Sequence, residues 1–462
     1  MTRRLPEGAP IVTAAAMRAA EDAVFASGVS QDALMERAGT AVAVQVARLA
    51  AGRPVLVLAG PGNNGGDAWV VAGWLAARGH DVAVAAIDGR AEGAAARMRG
   101  RWRGSISSLA AAAPRPILVD GLFGTGLSRP LDAEVAVGLT RLRAAAALTV
   151  AIDVSSGFGS DDGVALGGVG ADVTIALGAL KPAHLLGAGG AACGHVLLAD
   201  ISVSLASEWR TLERPVIAPP QPDDHKFSRG MIAVVSGAMP GAARLAARAA
   251  MCGGAGYVVL AGEDRSGPDA LVCRPADDGL FADGRIGALV IGPGLGRDEM
   301  ARNLLERALA SRLPLVLDGD ALSLLGAAAA DRLRDRDAIL TPHSGEFDRM
   351  FGTGCGSKID RSLAAARACG CTIVHKGADT VIARPDGRAV VAGGASPWLA
   401  TAGTGDVLAG TVAARLAAGV RDPAAEAVWL HARAAVLAGP VLIADDLPAR
   451  IGQALAECLT KP

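Results

Sequence analysis

The sequence predicts an α/β protein of two domains, each built from three αβα layers. Apolar runs rich in valine, isoleucine and leucine alternate with stretches rich in alanine and arginine. This alternation is typical of parallel strands buried between helices. The chain has 462 residues, which is more than a single hydrophobic core usually supports. We therefore expect two separate sheets.

The composition narrows the classes of function. Hydrophobic residues make up 51% of the chain and charged residues 20%, and the formal net charge is -1. Nucleic acids and anionic membranes attract basic surfaces, so neither is expected as a partner. The sequence shows no long apolar span and no compact signal segment, which predicts a cytoplasmic protein. The seven cysteines are scattered, and Cys369 and Cys371 lack the spacing of a zinc or redox motif, so we expect reduced thiols.

The two series of predicted strands are separated by a proline-rich segment. Two helices, at about 14–25 and 30–50 with Ser30 and Asp32 as candidate caps, come before the first series. The first series covers 54–60, 81–88, 116–124, 148–157 and 173–181, and the second covers 231–237, 257–262, 288–296, 314–322, 339–347 and 372–377. The pattern breaks between them, which predicts a domain at 1–212, a linker at 213–222 and a domain at 223–462.

Three polar loops follow strands of the first domain. A glycine-rich turn, PGNNGGDAW at 61–69, connects a predicted strand to a predicted helix, where free backbone N–H groups bind phosphates. Asp120 ends a later strand, and Asp153 precedes Ser155 and Ser156 at the end of another. Ligands bind beyond the carboxyl ends of parallel strands, so these loops should converge, and their oxygens suit a hard cation. Each aspartate alone has the alternative role of a helix cap.

Four motifs of this half together resemble the NAD(P)H-hydrate epimerase family, over about residues 10–210. They are LMERAG at 34–39, GNNGGD at 62–67, DGLFGTGL at 120–127 and DVSSG at 153–157. The resemblance implies a Rossmann-like domain that binds NADHX or NADPHX, the hydrates of NADH and NADPH. It implies substrate contacts from Asn63, Asn64, Gly65, Gly66 and Asp67, and from Gly124, Thr125, Gly126, Leu127, Ser128 and Arg129.

The same resemblance assigns chemistry to a few side chains. It implies a potassium ion bound by Asn64, Asp120 and Ser156, and a catalytic, substrate-binding acid/base at Asp153. Lys181 is open to two interpretations. It is either a second proton-transfer or anion-binding group, or a surface lysine before a proline.

The strongest motif of the second half is TAGTGDVLAG at 401–410. Gly403, Thr404, Gly405 and Asp406 lead into a predicted helix, whose positive end offers N–H groups to an anion. Phosphoryl transfer to a hydroxyl needs charge stabilisation and a proton acceptor, and Asp406 suits the second role. The alternative is that Asp406 is an ordinary helix N-cap.

Further motifs of this half resemble the ADP-dependent NAD(P)H-hydrate dehydratase family, which has a ribokinase-like fold. They are DDHKFSRG at 223–230, PGAARLAARAAMCGGAG at 240–256, GPGLG at 292–296, TPHSGEF at 341–347 and HKGADT at 375–380. The resemblance, over about residues 223–458, implies hydrate contacts from Ala242, Gly294, His343 and the catalytic Asp406. It implies that ADP or ATP, with Mg²⁺, is bound by Lys376, Gly377, Ala378, Asp379 and Thr380, and by Thr401, Ala402, Gly403, Thr404 and Gly405.

Both resemblances together imply a bifunctional enzyme of nicotinamide nucleotide repair. It would interconvert R- and S-NAD(P)HX and dehydrate the S form while ADP is converted to AMP and phosphate. One alternative is a ribokinase-like kinase of a thiamine precursor; another is a first domain that only binds or dimerises. His343 has the alternative of a buried structural histidine, and Lys376 that of neutralising a carboxylate. No histidine shows zinc-ligand spacing, and we expect a homo-oligomer.

Overall fold

The structure is a computed structural model that describes residues 5–87, 89 and 92–460. The chain divides into two compact units between Thr211 and Leu212. Within the described residues, no helix combines the length and the apolar character needed to cross a bilayer.

The first unit alternates strands and helices after two initial helices. Its elements are α1 (Ala14–Ala26), α2 (Gln31–Ala50), β1 (Val55–Ala59), α3 (Asn63–Ala76), β2 (Val82–Ala86), α4 (Gly93–Arg101), β3 (Ile106–Ser107), β4 (Ile117–Gly121), α5 (Ala133–Ala145), β5 (Leu148–Ile152), β6 (Val173–Leu177), α6 (Gly187–Ala192), β7 (His195–Ala199) and β8 (Trp209–Thr211). Both predicted initial helices are confirmed. Ser30 caps α2 by accepting a hydrogen bond from the N–H of Ala33 at 3.1 Å, whereas Asp32 lies inside the first turn.

Seven strands of this unit form one parallel sheet in the order β3-β2-β1-β4-β5-β6-β7. The five predicted strands are confirmed as β1, β2, β4, β5 and β6, and the prediction at 81–88 ends on a residue outside the described part. The edge strands β3 and β7 were not predicted. β3 is only two residues long, and β7 exposes Leu197 and Leu198, so neither has a buried apolar run.

Helices cover both faces of this sheet. Val55 and Val57 of β1 join a core cluster with α2 and α3. Leu56 and Leu58 point to the opposite face and pack with Leu139 of α5. Successive side chains of a strand alternate between faces, so a strand buried on both sides is apolar throughout. This is the predicted three-layer arrangement.

The second unit contains a larger sheet and more helices. Its elements are β9 (Met231–Val235), α7 (Pro240–Cys252), β10 (Tyr257–Ala261), β11 (Val272–Arg274), α8 (Asp278–Phe281), β12 (Ile286–Ile291), α9 (Glu299–Ala310), β13 (Leu315–Leu317), α10 (Gly319–Leu325), α11 (Ala329–Leu333), β14 (Ala338–Leu340), α12 (Ser344–Phe351), α13 (Lys358–Cys369), β15 (Thr372–His375), β16 (Asp379–Ala383), β17 (Ala389–Gly393), α14 (Thr404–Ala417), α15 (Pro423–Ala438) and α16 (Leu447–Cys458).

Strands of the second unit follow the order β11-β10-β9-β12-β13-β14-β15-β16-β17. They run parallel from β11 to β15, and the hairpin of β16 and β17 continues the sheet antiparallel. The predicted strands at 314–322 and 339–347 were too long. The strands β13 and β14 are each only three residues long. Helix α10 begins at Gly319, soon after β13, and helix α12 begins at Ser344, soon after β14.

The segment at 213–222, predicted as a linker, is partly packed within the second unit. Ile217 is buried, and its N–H donates to the carbonyl of Cys458 at 2.9 Å while its carbonyl accepts from the N–H of Thr460 at 2.9 Å. Prolines exclude this segment from a helix or a central strand, but they do not prevent one apolar residue from joining a core.

Helices α7 and α14 approach each other closely at Gly410. A Cβ built on Gly410 would lie 2.0 Å from the carbonyl oxygen of Ala246, so any larger residue must push the two helices apart. This contact positions α14, whose first turn carries Asp406.

We predict that Gly410→Ala lowers the free energy of unfolding of the second unit by about 2 kcal/mol or more, because overpacking against backbone cannot be relieved by a rotamer change. The matched control is Gly452→Ala in α16, where the new Cβ would lie an ordinary 3.6 Å from Cys252 O. The control should be neutral or slightly stabilising. Urea denaturation of both variants checks this, and equal effects would contradict the packing argument.

Candidate active sites

The three polar loops of the first unit meet at the carboxyl edge of its sheet. A Cβ on Gly60, after β1, would lie only 1.8 Å from the carbonyl oxygen of Leu122, after β4. A Cβ on Gly124 would lie 3.2 Å from the side-chain carbonyl of Asn64. Contact between these loops requires glycine, because a side chain at Gly60 has no space. The predicted convergence of the loops is therefore confirmed.

Asp120 and Ser156 form a buried hydrogen-bonded pair within this edge. The hydroxyl of Ser156 donates to Asp120 Oδ1 at 2.6 Å, and the N–H of Ser156 donates to Asp120 Oδ2 at 2.9 Å. Burial raises the pKa of Asp120, although these hydrogen bonds partly lower it. Neither Asp120 nor Asp153 accepts a helix-capping bond, so the alternative role of a cap is wrong for both.

Asp153 lies beside a buried lysine. The ammonium of Lys181 contacts Asp153 Oδ1 at 2.5 Å, and the lysine side chain is only 1% exposed. The interpretation of Lys181 as a surface lysine is therefore wrong. His184, on the turn that follows, bonds through Nε2 to the carbonyl of Asp153 at 2.5 Å. Sequence reasoning missed His184, although its place three residues after Lys181 was the available signal.

Two further carboxyl groups face Asp153. Burial, together with the nearby charges of Asp153 and Glu21, raises the pKa of Asp67 well above its ordinary value. Burial likewise raises the pKa of Glu21, which projects from α1. Among the residues that the structure describes, Asp153, Asp67 and Glu21 thus bring three carboxyl groups near the ammonium of Lys181.

The other predicted substrate contacts of this unit differ in how far they are buried. Asn64, Gly65, Gly66 and Asp67 are buried in the first turn of α3, whereas Asn63 is exposed. In the loop after β4, Gly124, Thr125 and Leu127 are half-buried, and Gly126, Ser128 and Arg129 are exposed. The exposed members are accessible to a ligand, whereas the buried ones lie beneath the surface of the loops.

The second unit places Asp406 in the first turn of α14. The residue before that helix is Gly403, and no side chain caps it, so the N-cap interpretation of Asp406 is wrong. Burial, with the negative charge of Asp318, raises the pKa of Asp406 to about 6, against the opposing effect of Lys376. The first N–H groups of a helix have no partner inside it and attract anions. A carboxyl group with a raised pKa therefore lies directly beside N–H groups that can bind an anion.

Lys376, which is half-buried, and the buried Asp318 form an ion pair near this turn. The ammonium lies 2.7 Å from Asp318 Oδ1, which also accepts a bond from the hydroxyl of Thr341 at 2.7 Å. Burial opposes the charge of Lys376, but Asp318 outweighs it and raises the pKa of the ammonium. A Cβ on Gly405 would lie 3.2 Å from the lysine nitrogen. Lys376 thus neutralises a carboxylate and also faces the turn formed by residues 403–406, which we call the GTGD turn.

Sequence reasoning did not select Asp318 or His431. Asp318 follows a strand, the same signal that selected Asp120 and Asp153. His431 comes from α15 and bonds through Nε2 to the carbonyl of Thr404 at 3.0 Å. Burial lowers the pKa of His431 to about 4, so it supports the GTGD turn as a neutral ring.

The predicted hydrate contacts lie on two loops of this unit. The side chain of His343 is 56% exposed, so its alternative as a buried histidine is wrong. Its Nδ1 accepts bonds from the N–H groups of Gly345 and Glu346, at 3.0 and 3.3 Å, and caps α12. Gly294 has a φ of +60°, and a Cβ there would lie 3.0 Å from the Cβ of Ala242. Gly294 and Ala242 are therefore brought together.

The predicted nucleotide residues form two short segments. In 376–380, the hydroxyl of Thr380 donates to Gly377 O at 2.9 Å, and Asp379 pairs with Lys358 at 2.6 Å; Ala378 is exposed. In 401–405, the hydroxyl of Thr404 donates to Leu399 O at 2.8 Å, while Thr401 and Ala402 are exposed. Both segments are therefore anchored by hydrogen bonds or an ion pair, and each has residues that are exposed to solvent.

Comparison with known proteins identifies the family. One family model, described as NAD(P)H-hydrate dehydratase, matches residues 232–455, and another, described as YjeF-related protein N-terminus, matches residues 31–183. A bifunctional NAD(P)H-hydrate repair enzyme from Mycobacterium tuberculosis is 36% identical over 437 residues, which is 89% of each chain. This chain belongs to the family of bifunctional NAD(P)H-hydrate repair enzymes.

Other relatives agree with this assignment. The repair enzyme of Mycobacterium leprae is 35% identical over 94% of this chain and 95% of its own. The crystal structure of a ribokinase-like superfamily protein from Enterococcus faecalis has a TM-score of 0.50 and 23% identity, and covers 55% of this chain and 98% of that one. The ribokinase-like fold is thereby confirmed. The family carries epimerase and dehydratase domains, which favours repair over both alternatives, the thiamine-precursor kinase and the noncatalytic first domain.

We predict that kcat/KM for dehydration of the S-hydrate falls as the pH drops through about 6, because Asp406 must be ionised to accept a proton. Asp318→Asn removes a neighbouring negative charge, so the acidic limb should move to lower pH. A pH profile of both enzymes measures this. Asp386→Asn, on an exposed hairpin, is the control and should keep the wild-type limb. A limb that does not move in Asp318→Asn would contradict the electrostatic argument.

Proposed function

We propose that the first unit equilibrates R- and S-NAD(P)HX through Asp153, and that the second unit converts the S form to NAD(P)H through Asp406 with ADP or ATP. The observation that carries the second role is the arrangement around Asp406. A carboxyl group with a pKa raised to about 6 lies at a positive helix end. Proton acceptors work best with a pKa near the operating pH.

The dehydration proceeds in two balanced steps. Asp406 takes the proton of the ring hydroxyl, and the hydroxyl oxygen attacks the terminal phosphorus of the nucleotide, which releases AMP from ADP. Phosphate then leaves with the C–O bond electrons, and loss of a proton from the adjacent carbon restores the double bond. The N–H groups of the GTGD turn stabilise the developing negative charge. We propose that Mg²⁺ accompanies the nucleotide phosphates.

The three residues proposed to hold potassium, Asn64, Asp120 and Ser156, carry amide, carboxylate and hydroxyl oxygens, which are suitable ligands for a hard cation. Asn64 Nδ2 is buried and has no hydrogen-bond partner within the described part of the chain. Asn64 can exchange its amide oxygen and nitrogen, which turns an oxygen to that position. Asp120 is buried with its pKa raised by burial, so a cation among Asn64, Asp120 and Ser156 offsets its charge. When bound, potassium supplies positive charge next to the substrate loops.

Three further points remain predictions. The domain bounds are proposed at 1–212 and 223–462, the compartment as cytoplasm, and the assembly as a homo-oligomer.

We predict that Asp406→Asn loses dehydration by about three orders of magnitude or more, because the proton acceptor is gone while the N–H groups remain. Nucleotide binding, measured by calorimetry with ADP, should stay within about threefold, since one uncharged amide replaces one carboxylate. Epimerisation by the first unit serves as the internal control. Near-normal dehydration in this variant would remove Asp406 from the mechanism.

The bifunctional assignment is tested by complementation. Asp153→Asn should keep dehydration of S-hydrate and lose epimerisation, the reverse of Asp406→Asn. Mixed in one tube with R-hydrate and ADP, the two variants should restore conversion to reduced nicotinamide nucleotide, because the hydrate diffuses between chains. If the mixture is no faster than Asp153→Asn alone, the two activities do not belong to the two proposed sites.

A further inference from the structure

We infer that Lys181 and His184 are positioning residues for epimerisation, which hold Asp153 so that only its Oδ2 exchanges a proton with the hydrate. The inference rests on the epimerase function proposed for the first unit. It states which carboxylate oxygen of Asp153 reacts and which residues hold that carboxylate in place. The sequence motifs alone predict neither of these.

The backbone at Asp153 has an unfavourable conformation. Its φ is +59°, and the N–H of Val154 bonds to the carbonyl of Ile152 at 2.8 Å, so Asp153 is the centre of a tight three-residue turn. Such turns with positive φ are rare and strained for residues other than glycine. Asp153 is only 8% exposed. Packing and hydrogen bonds must therefore maintain this conformation.

His184 supplies one of those hydrogen bonds. Its Nδ1 accepts from the backbone N–H of Lys181 at 2.9 Å, which leaves the ring proton on Nε2. Nε2 then donates to the carbonyl of Asp153 at 2.5 Å. The ring is buried, and both of its nitrogens are used by backbone groups. His184 therefore acts on the turn, and it has no group left to offer a substrate.

Lys181 fixes the carboxylate. Asp153 Oδ1 accepts from the ammonium at 2.5 Å and from the N–H of Leu177 at 3.1 Å. Within the described residues, Oδ2 of Asp153 has no hydrogen-bond partner. One oxygen is thus engaged by two donors, and the other is left for the hydrate. Orientation of this kind is worth orders of magnitude in rate.

Each of the three protons of the Lys181 ammonium has a hydrogen-bond acceptor. Besides Asp153 Oδ1, it donates to the carbonyls of Leu177 at 2.8 Å and Ala179 at 3.1 Å. An ammonium has three protons, and all three are engaged. This arrangement favours a positioning role for Lys181 over that of a second proton-transfer or anion-binding group.

Lys181 also links the ends of two neighbouring strands. Gly178, after β6, has a φ of +71° and is the centre of a second three-residue turn, in which Ala179 N–H bonds to Leu177 O at 2.8 Å. The charges that face Asp153 are Glu21 from α1, Asp67 from α3 and Lys181. Lys181 is the cation among them, so its loss leaves Asp153 beside two carboxyl groups.

Two substitutions at His184 separate positioning from general packing. Glutamine places its amide nitrogen near the position of Nε2, and so keeps the donor to Asp153 O. Asparagine places its oxygen near Nδ1, and so keeps only the bond from Lys181 N–H. We expect His184→Gln to retain kcat within about tenfold, and His184→Asn to lose about 100-fold, the typical effect of a misplaced catalytic group. KM for R-NADHX should stay within about threefold in both.

The second test is Lys181→Met in the full chain, with R-NADHX as substrate and chiral chromatography as the assay. We expect kcat to fall about 100-fold or more with little change in KM, while dehydration of S-NADHX by the same chain stays normal. Wild-type kcat in Lys181→Met, equal losses in the two His184 variants, or losses confined to KM would overturn the inference. A wild-type chain that does not accelerate epimerisation would instead overturn the proposed function and the inference with it.

Discussion

A lysine paired with an aspartate, where strands of a parallel sheet end, is the interaction on which each site depends. In the first unit Lys181 contacts Asp153 at 2.5 Å, and in the second Lys376 contacts Asp318 at 2.7 Å. The chain has only five lysines, so two of them serve this purpose. Removing a charge from water costs several kcal/mol unless a partner compensates it. The pairs therefore fix the charges of both sites before any ligand binds, as electrostatic preorganisation requires.

The two sites use their aspartates differently. Asp153 is itself the partner of the lysine, and one of its oxygens is occupied by donors. Asp406 is not the hydrogen-bonded partner of Lys376, which pairs with Asp318 instead. Burial, helped by the nearby carboxylates, raises the pKa of Asp406 to about 6. Asp153 is held by a cation, whereas the pKa of Asp406 is raised by burial and, to a smaller extent, by neighbouring anions. This difference agrees with the two roles that we propose, a reversible proton exchange at Asp153 and a deprotonation by Asp406 coupled to phosphoryl transfer.

Much of this was predictable from the sequence, because parallel strands leave their loops at one edge. Asp120, Asp153 and Asp406 were found since each lies at the junction of an apolar run and a glycine-rich turn. The contributions of His184, His431 and Asp318 were not found. The two histidines act on backbone carbonyls far away in sequence, at Asp153 and Thr404, so their hydrogen-bond partners cannot be identified from the neighbouring sequence. The burial of Lys181 was equally invisible, because it depends on how β5 and β6 end.

The most direct test of the bifunctional account uses an equal mixture of R- and S-NADHX with the full chain and excess ADP. The absorbance of reduced nicotinamide reports conversion. The account predicts that all of the hydrate is converted, in a single phase or in two phases limited by epimerisation, because the first unit supplies the epimer that the second consumes. Conversion that stops at half, with R-NADHX left over apart from its slow spontaneous epimerisation, would contradict an active first unit. No conversion at all would contradict the second.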